Sequence, residues 1–309
     1  PHHNRFNHPS LEGEVRIMFK YAVFTDEITQ DLDLAISVAK EYNMDAVEIR
    51  SVWDTGIQKM TDDQVTEIKK KCDDAGLAIC GIGTPFYKCE IDSPEEIEEH
   101  HNILRRCCDI AKVFETDIIR GFTFWRRGPV EEVYQRILDN FEIPLKILEE
   151  KDQRMVIENE ASTYLGTGAQ VASFLDEIGS PRLAAVWDPC NVLFDFDNDE
   201  VPFPDGYRAL RKHIIHIHLK DAERIGSKEA HCVRMGEGEI DYKGQFRALL
   251  EDGYDGYVSL ETHWRPQDIS EEEMNKPGGA SYSKDGEFAS RRCIESIYAM
   301  VDEIRKDLA

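Results

Sequence analysis

Eight times along this 309-residue chain, a short apolar or β-branched run is followed by a stretch with apolar residues at helical spacing. The runs are Lys20–Thr25, Asp45–Arg50, Leu77–Ile82, Thr116–Gly121, Arg154–Glu158, Leu183–Trp187, His213–Asp221 and Gly256–Glu261. Helices are expected after them at Leu32–Glu41, Thr61–Ala75, Pro94–Val113, Pro129–Lys151, Gly168–Ile178, Pro204–Lys212, Lys243–Asp252 and Glu287–Lys306. Thr61 and Ser93 read as N-caps, Pro94 as a first helical residue, and Gly76 lies just past a helix end. Alternating strands and helices imply a parallel sheet with right-handed crossovers. Eight such units close into an α/β fold, a (β/α)8 TIM barrel, with its active site at the C-terminal ends of the strands.

No Gly-, Pro- or Ser-rich linker divides the pattern, so residues 18–309 are expected to form one catalytic barrel domain. Residues 1–17, polar and without periodicity, read as a disordered tail; His2, His3 and His8 in it could bind a metal or simply fray. Met18 is a plausible natural start. Asp221–Asp241 and Thr262–Asp285 are longer than barrel loops require and suit substrate or subunit contacts, leaving room for a homo-oligomer.

Charge and cysteines narrow the function. Lys and Arg total 37 against 61 Asp and Glu, a formal net charge of −24. Such a surface repels nucleic-acid phosphates and anionic membrane faces. No run approaches the ~20 apolar residues of a membrane span, and no signal peptide is visible. The eight cysteines form no CxxC pair and read as reduced thiols, which favours a cytoplasmic location.

The polar residues that interrupt the strands carry the chemistry. Strand seven, HIIHIHLKD, alternates Ile215, Ile217 and Leu219 with His216, His218 and Lys220, so one face bears two histidines and a lysine. Strand five ends at Glu158, strand six runs into Asp188, and strand eight ends at Glu261. In a barrel these converge on one mouth. Three unpaired carboxylates there would repel one another and be costly to desolvate. A divalent cation relieves both, and the O/N donor set without thiolates suits Mn²⁺, Mg²⁺, Co²⁺, Fe²⁺ or Zn²⁺.

The series IENE, WDPCN, HIHLKD and GEGEIDY…GYDGYVSLETHW resembles the xylose isomerase-like TIM barrel superfamily of sugar and sugar-phosphate isomerases and epimerases. The resemblance covers nearly everything after residue 18. It implies that Glu158, Asp188, His218 and Glu261 hold one divalent metal. In the ketose 3-epimerase branch the two glutamates also act as the acid/base pair, a role the resemblance implies for Glu158 and Glu261. Physically, removing a proton α to a carbonyl requires stabilised enediolate oxygens and a placed base. Arg224 matches a substrate-contacting arginine of that branch. Where that branch carries a histidine three residues after the strand-six Asp, this chain has Asn191. Where it carries a second glutamate, this chain has Tyr164. Both departures point away from a ketose 3-epimerase and leave isomerase or epimerase chemistry in place.

Other candidates have two readings each. Glu48 and Arg50 at the end of strand two could bind substrate or form an ion pair inside the barrel. Trp53, and Phe124, Trp125 and Arg126 after strand four, could stack on a sugar face or pack over the rim. His216, one pleat below His218, is expected to orient the site. Lys220 could meet a substrate anion or pair with Glu160. His263 could assist the site or be structural. The function expected is a metal-dependent isomerase or epimerase acting on a small sugar or polyol-derived substrate. The alternative is a lyase on the same barrel, resembling inosose or dehydroshikimate dehydratase, or a C-glycoside-cleaving subunit. An apurinic-site endonuclease would need further histidines at earlier strand ends and a surface less hostile to DNA. A non-catalytic binding protein is the remaining class.

Overall fold

A computed structural model describes residues 19–266 and 283–309. The expected tail, residues 1–17, and most of the 262–285 loop lie outside them. Eight strands close into a barrel: β1 (Lys20–Phe24), β2 (Ala46–Ile49), β3 (Ala78–Phe86), β4 (Ile119–Gly121), β5 (Met155–Glu158), β6 (Leu183–Trp187), β7 (Ile214–Leu219) and β8 (Tyr257–Leu260). Each pairs in parallel with its sequence neighbours, and β8 returns to β1 through Tyr21↔Val258 and Val23↔Leu260. The (β/α)8 barrel expected from the alternation is the fold.

The principal helices around it are α1 (Leu32–Glu41), α2 (Asp62–Asp74), α3 (Pro94–Phe114), α4 (Glu142–Lys151), α5 (Gly168–Ile178), α6 (Tyr207–Leu210), α7 (Tyr242–Glu251) and α8 (Gly286–Leu308). Their starts are encoded locally. Asp31 caps α1 by accepting from the backbone of Asp33 and Leu34, and Thr61 with Gln64 forms a reciprocal capping box on α2. Helix α1 then turns Leu32, Ala35, Ile36 and Ala39 inward; full burial of a large aliphatic side chain contributes roughly 1.5–3 kcal/mol.

Three elements differ from expectation. The helix expected over Pro129–Lys151 is broken into Tyr134–Asp139 and α4. Pro144 has no N–H for the carbonyl of Asn140 and its ring crowds that carbonyl, so the chain restarts at Phe141. Strand β3 runs on to Phe86, where Thr84 Oγ1 ties it to β4 through the Arg120 carbonyl at 2.8 Å. The Asp221–Asp241 loop contains an antiparallel hairpin, Asp221–Gly226 with Glu229–Val233.

Candidate metal centre

The inward side of β7 explains the centre. His216 and His218 lie one pleat apart, both fully buried. Across the barrel on β2, Glu48 meets both: its Oε2 is 2.9 Å from His216 Nε2, and its Oε1 is 3.0 Å from His218 Nε2. Burial alone would raise the Glu48 carboxyl, but the two imidazoles outweigh it and hold the group well below the usual carboxylate range. An ionised Glu48 only accepts, so it takes the Nε2 proton of each ring.

His218 Nδ1 is then the atom that faces the mouth. It lies 3.5 Å from Glu158 Oε1 and 3.7 Å from Glu261 Oε2. Glu158 ends β5, Asp188 follows β6, and Glu261 follows β8 with its N–H donating to the Leu219 carbonyl. One ligand atom from each of Glu158, Asp188, His218 and Glu261 lies within 4.8 Å of all the others. Asp188 also caps the short helix Pro189–Leu193 through Oδ1, which turns its Oδ2 away from that helix's backbone. Glu158 Oε2, Asp188 Oδ2 and His218 Nδ1 are buried and make no hydrogen bond among the described residues. Three hard oxygen ligands and one imidazole nitrogen fit a divalent cation.

Cations ring these carboxylates. Lys220 Nζ is 3.0 Å from Asp188 Oδ2 and 3.3 Å from Glu261 Oε2. Arg120 Nη1 is 3.3 Å from Glu158 Oε2, and Arg50 Nη1 is 2.7 Å from Glu261 Oε1. Burial would raise Glu158, but Arg120 and His218 draw it down to about 2. Asp188 goes the other way, up to about 6, because burial is reinforced by Glu158 and Glu261 and only partly offset by Lys220. His218 is lifted to about 10: burial disfavours its charge, and Glu48 and Glu158 overcome that. Without a metal the cluster therefore holds a proton on His218 where a cation would otherwise supply positive charge.

A cavity of about 800 Å³ opens above the cluster, lined by Glu158, Lys220 and Glu261 and also by Arg50, Lys88, His100, Arg120, Trp125, Asn191 and His263. Asn191 Nδ2 donates to Glu158 Oε1 at 3.0 Å and to the Asn159 carbonyl at 2.9 Å. His263 Nδ1 is 2.7 Å from Glu27 Oε1, and its Nε2 is 3.8 Å from Glu261 Oε1. Gly83 lets β3 pass close by: a Cβ there would come within 2.9 Å of the Phe24 ring and 3.1 Å of Arg50 Cβ. A second cavity of about 770 Å³ lies at the opposite, N-terminal ends of the strands and contains none of the cluster residues.

Not every candidate residue reaches the cavity. Glu48 and His216 lie beneath it, as a prop for His218. Arg224 does not line it either: on the hairpin, its guanidinium donates to the carbonyls of Leu193, Val192 and Asp195, so it stitches the hairpin to the segment after β6. Lys220 pairs with Asp188 and Glu261, while Glu160 faces Lys88 at 3.8 Å. Arg120, Lys88 and His100 escaped the sequence reading. Arg120 carried a usable signal, a charge at the end of an apolar strand like Arg50; Lys88 and His100 carried none.

Fold and cluster define a TIM barrel with a carboxylate–imidazole centre at the C-terminal mouth of the strands. Residues 36–284 match the family described as the xylose isomerase-like TIM barrel, and the chain belongs to that family. An inosose dehydratase from Clostridium tetani is 28% identical over 140 residues, covering 39% of this chain and 44% of that protein. A ketose 3-epimerase from Arthrobacter globiformis is 28% identical over 107 residues, covering 35% of this chain and 33% of its own. The chain thus matches less than half the length of either relative. Among solved structures, a xylose isomerase domain protein from Planctomyces limnophilus superposes with a TM-score of 0.70 at 16% identity, covering 94% of this chain and 99% of that one. A D-tagatose 3-epimerase-like protein gives 0.69 at 17%, covering 94% and 100%. No described helix is long and apolar enough to cross a membrane.

Proposed function

We propose that the protein is a divalent-metal-dependent isomerase or epimerase that moves a proton α to the carbonyl of a small sugar or polyol-derived substrate. The observation that carries this reading is the convergence of Glu158, Asp188, His218 and Glu261 within 4.8 Å, with Glu158 Oε2, Asp188 Oδ2 and His218 Nδ1 buried and making no hydrogen bond among the described residues. These four residues would hold the metal, which supplies a Lewis acid for the substrate's carbonyl and hydroxyl oxygens. Glu158 and Glu261 are the candidate acid/base pair: both are ionised carboxylates at the cavity floor, so either can take the α proton, and the other returns one only after it has itself gained a proton. Lys220, Arg120 and Asn191 orient substrate oxygens against them. His263 braces Glu261 and Glu27. The eight free cysteines support the cytoplasmic setting.

A dehydratase outcome is the second reading, favoured by the inosose dehydratases among the similar proteins. It shares proton abstraction and differs in expelling a β-hydroxyl. Mn²⁺-loaded protein incubated with ketoses and inososes in D₂O distinguishes the two: both exchange a C–H proton, and only the dehydratase releases water. Glu158→Gln and Glu261→Gln should each abolish exchange without unfolding the protein. A chain that binds no divalent ion and exchanges no proton overturns the reading.

A further inference from the structure

We propose that Lys88 and His100 form an anion-accepting subsite on the cavity wall, built for the carboxylate of an acidic, sugar-derived substrate. The inference rests on reading this cavity as the substrate site.

Lys88 follows β3, and its side chain is only 21% exposed. Its Nζ sits 4.4 Å from the Phe122 ring centroid and 5.6 Å from that of Trp125. The nearest carboxylate oxygen, Glu160 Oε2, is 3.8 Å away, beyond hydrogen-bond reach, and the Ser162 N–H already donates to the other oxygen of Glu160. Among the described residues no acceptor takes a hydrogen bond from Lys88. A largely buried ammonium that meets only a distant carboxylate and aromatic faces among the described residues is suited to donate to a bound ligand. Burial pushes the Lys88 ammonium below the usual lysine range, as expected of a cation lacking a full counter-charge.

His100 lies on α3 and bonds the backbone of Tyr87, the residue before Lys88. Its Nδ1 accepts the Tyr87 N–H at 2.8 Å, so the neutral ring carries its proton on Nε2. Burial lowers its basicity and keeps it neutral. No described acceptor meets Nε2–H, and His100 lines the same cavity. Tyr87 joins the two groups and is itself fixed: it stands at φ +62, stacks on Phe86 at 4.0 Å and on Phe124 at 4.2 Å, and donates its hydroxyl to the Asn140 carbonyl at 2.6 Å. A bulky residue at positive φ costs energy and persists only where the surroundings hold it, as they do at ligand clamps. His100 and the backbone leading into Lys88 are preorganised.

Both groups only donate, so the bound group must accept. A hydroxyl would leave Lys88 with only the Glu160 carboxylate at 3.8 Å and its aromatic neighbours, whereas a carboxylate adds a directly bonded counter-charge. One cation beside one neutral donor matches a monoanion better than a dianionic phosphate. The cavity wall is charge-balanced rather than acidic like the chain as a whole, with Arg50, Lys59, Lys88, Arg120, Lys220 and Lys228 against Asp54, Glu99, Glu158, Glu160 and Glu261, so a single anion is not repelled there as it would be from the net −24 surface.

Calorimetric binding of D-glucuronate, D-glucose and D-glucose 6-phosphate to the metal-free and Mn²⁺-loaded chain tests this. Glucuronate should bind at least about tenfold more tightly than glucose, and more tightly than the phosphate, in both forms. Lys88→Met, which keeps the packing against Phe122, should erase the preference, and Lys88→Arg should restore part of it. Equal binding of uronate and glucose, a preference surviving Lys88→Met, tighter binding of the phosphate, or no saturable uronate binding overturns the subsite. Because the metal-free arm needs neither metal nor turnover, failure here is separable from failure of the proton-transfer reading.

Discussion

Glu48 Oε1 receives His218 Nε2 at 3.0 Å while its Oε2 receives His216 Nε2 at 2.9 Å, so one carboxylate fixes two imidazoles. With Nε2 committed, His218 can offer only Nδ1 upward. Glu48→Gln replaces one acceptor with an NH₂ group that opposes a ring N–H. Loss of such an outer carboxylate typically costs 10–100-fold in metal affinity, and about that loss is expected here with the fold retained. Competition against a chromophoric chelator measures it. Unchanged affinity would mean that His218 is not held in place by Glu48.

Metal-free protein should lose stability on the alkaline side. His218 has a folded-state pKa of about 10 against ~6.5 unfolded. A raised basic group stabilises the fold fully below its unfolded pKa and loses that contribution as pH climbs through the folded value. The thermal midpoint of the metal-free chain should therefore fall between about pH 6.5 and 10. Saturating Mn²⁺ should flatten the decline, because the bound ion replaces the proton. A flat profile without metal would contradict the imidazolium.

Asn191 braces the Glu158 carboxylate. Its amide donates to Glu158 Oε1 at 3.0 Å. Asn191→Asp exchanges that donor for a like charge, which disfavours ionised Glu158. The acid limb of the proton-exchange pH profile should move upward, and the plateau should drop by roughly 10–100-fold. An unmoved limb would detach Asn191 from the proton-transferring carboxylate.

Much of this site was legible because strands alternate. A period of two put His216, His218 and Lys220 on one face, and three strands ending in carboxylates put Glu158, Asp188 and Glu261 at one mouth. What stayed hidden depended on contacts distant in sequence. Glu48 was read as a substrate contact or half of an ion pair inside the barrel, and its partners, histidines 168 and 170 residues away, are not announced by anything near it in the chain. Arg224 stands six residues beyond His218, but the hairpin turns it back onto the segment after β6. Lys88 lies against the Phe122 and Trp125 rings with Glu160 no nearer than 3.8 Å, relationships that exist only once β3 and β4 lie side by side. The break before α4 was readable, since Pro144 sits inside an otherwise helical pattern.

The last helix is coupled to the site through a backbone approach that tolerates no side chain. A Cβ on Gly286, at the start of α8, would lie 2.0 Å from the Glu27 carbonyl oxygen. That carbonyl also accepts from Ser290 Oγ at 3.1 Å, and the Glu27 carboxylate holds Arg265 at 2.9 Å and Arg50 at 3.0 Å. Arg50 in turn reaches Glu261 at 2.7 Å. Gly286→Ala must push α8 away from Glu27, an overpacking change expected to cost about 1–3 kcal/mol. At roughly 2–4 °C per kcal/mol for a larger domain, the thermal midpoint should drop by several degrees. Glu287→Ala, one residue on, breaks only a partly exposed pair with Arg291 at 3.2 Å and should cost no more than about 0.5 kcal/mol. Because Glu27 moves in the first variant and not in the second, Gly286→Ala should also weaken Mn²⁺ binding, through Arg50 and Glu261, while Glu287→Ala leaves it unchanged. Equal effects of the two substitutions on metal affinity would break the link between α8 and the metal centre.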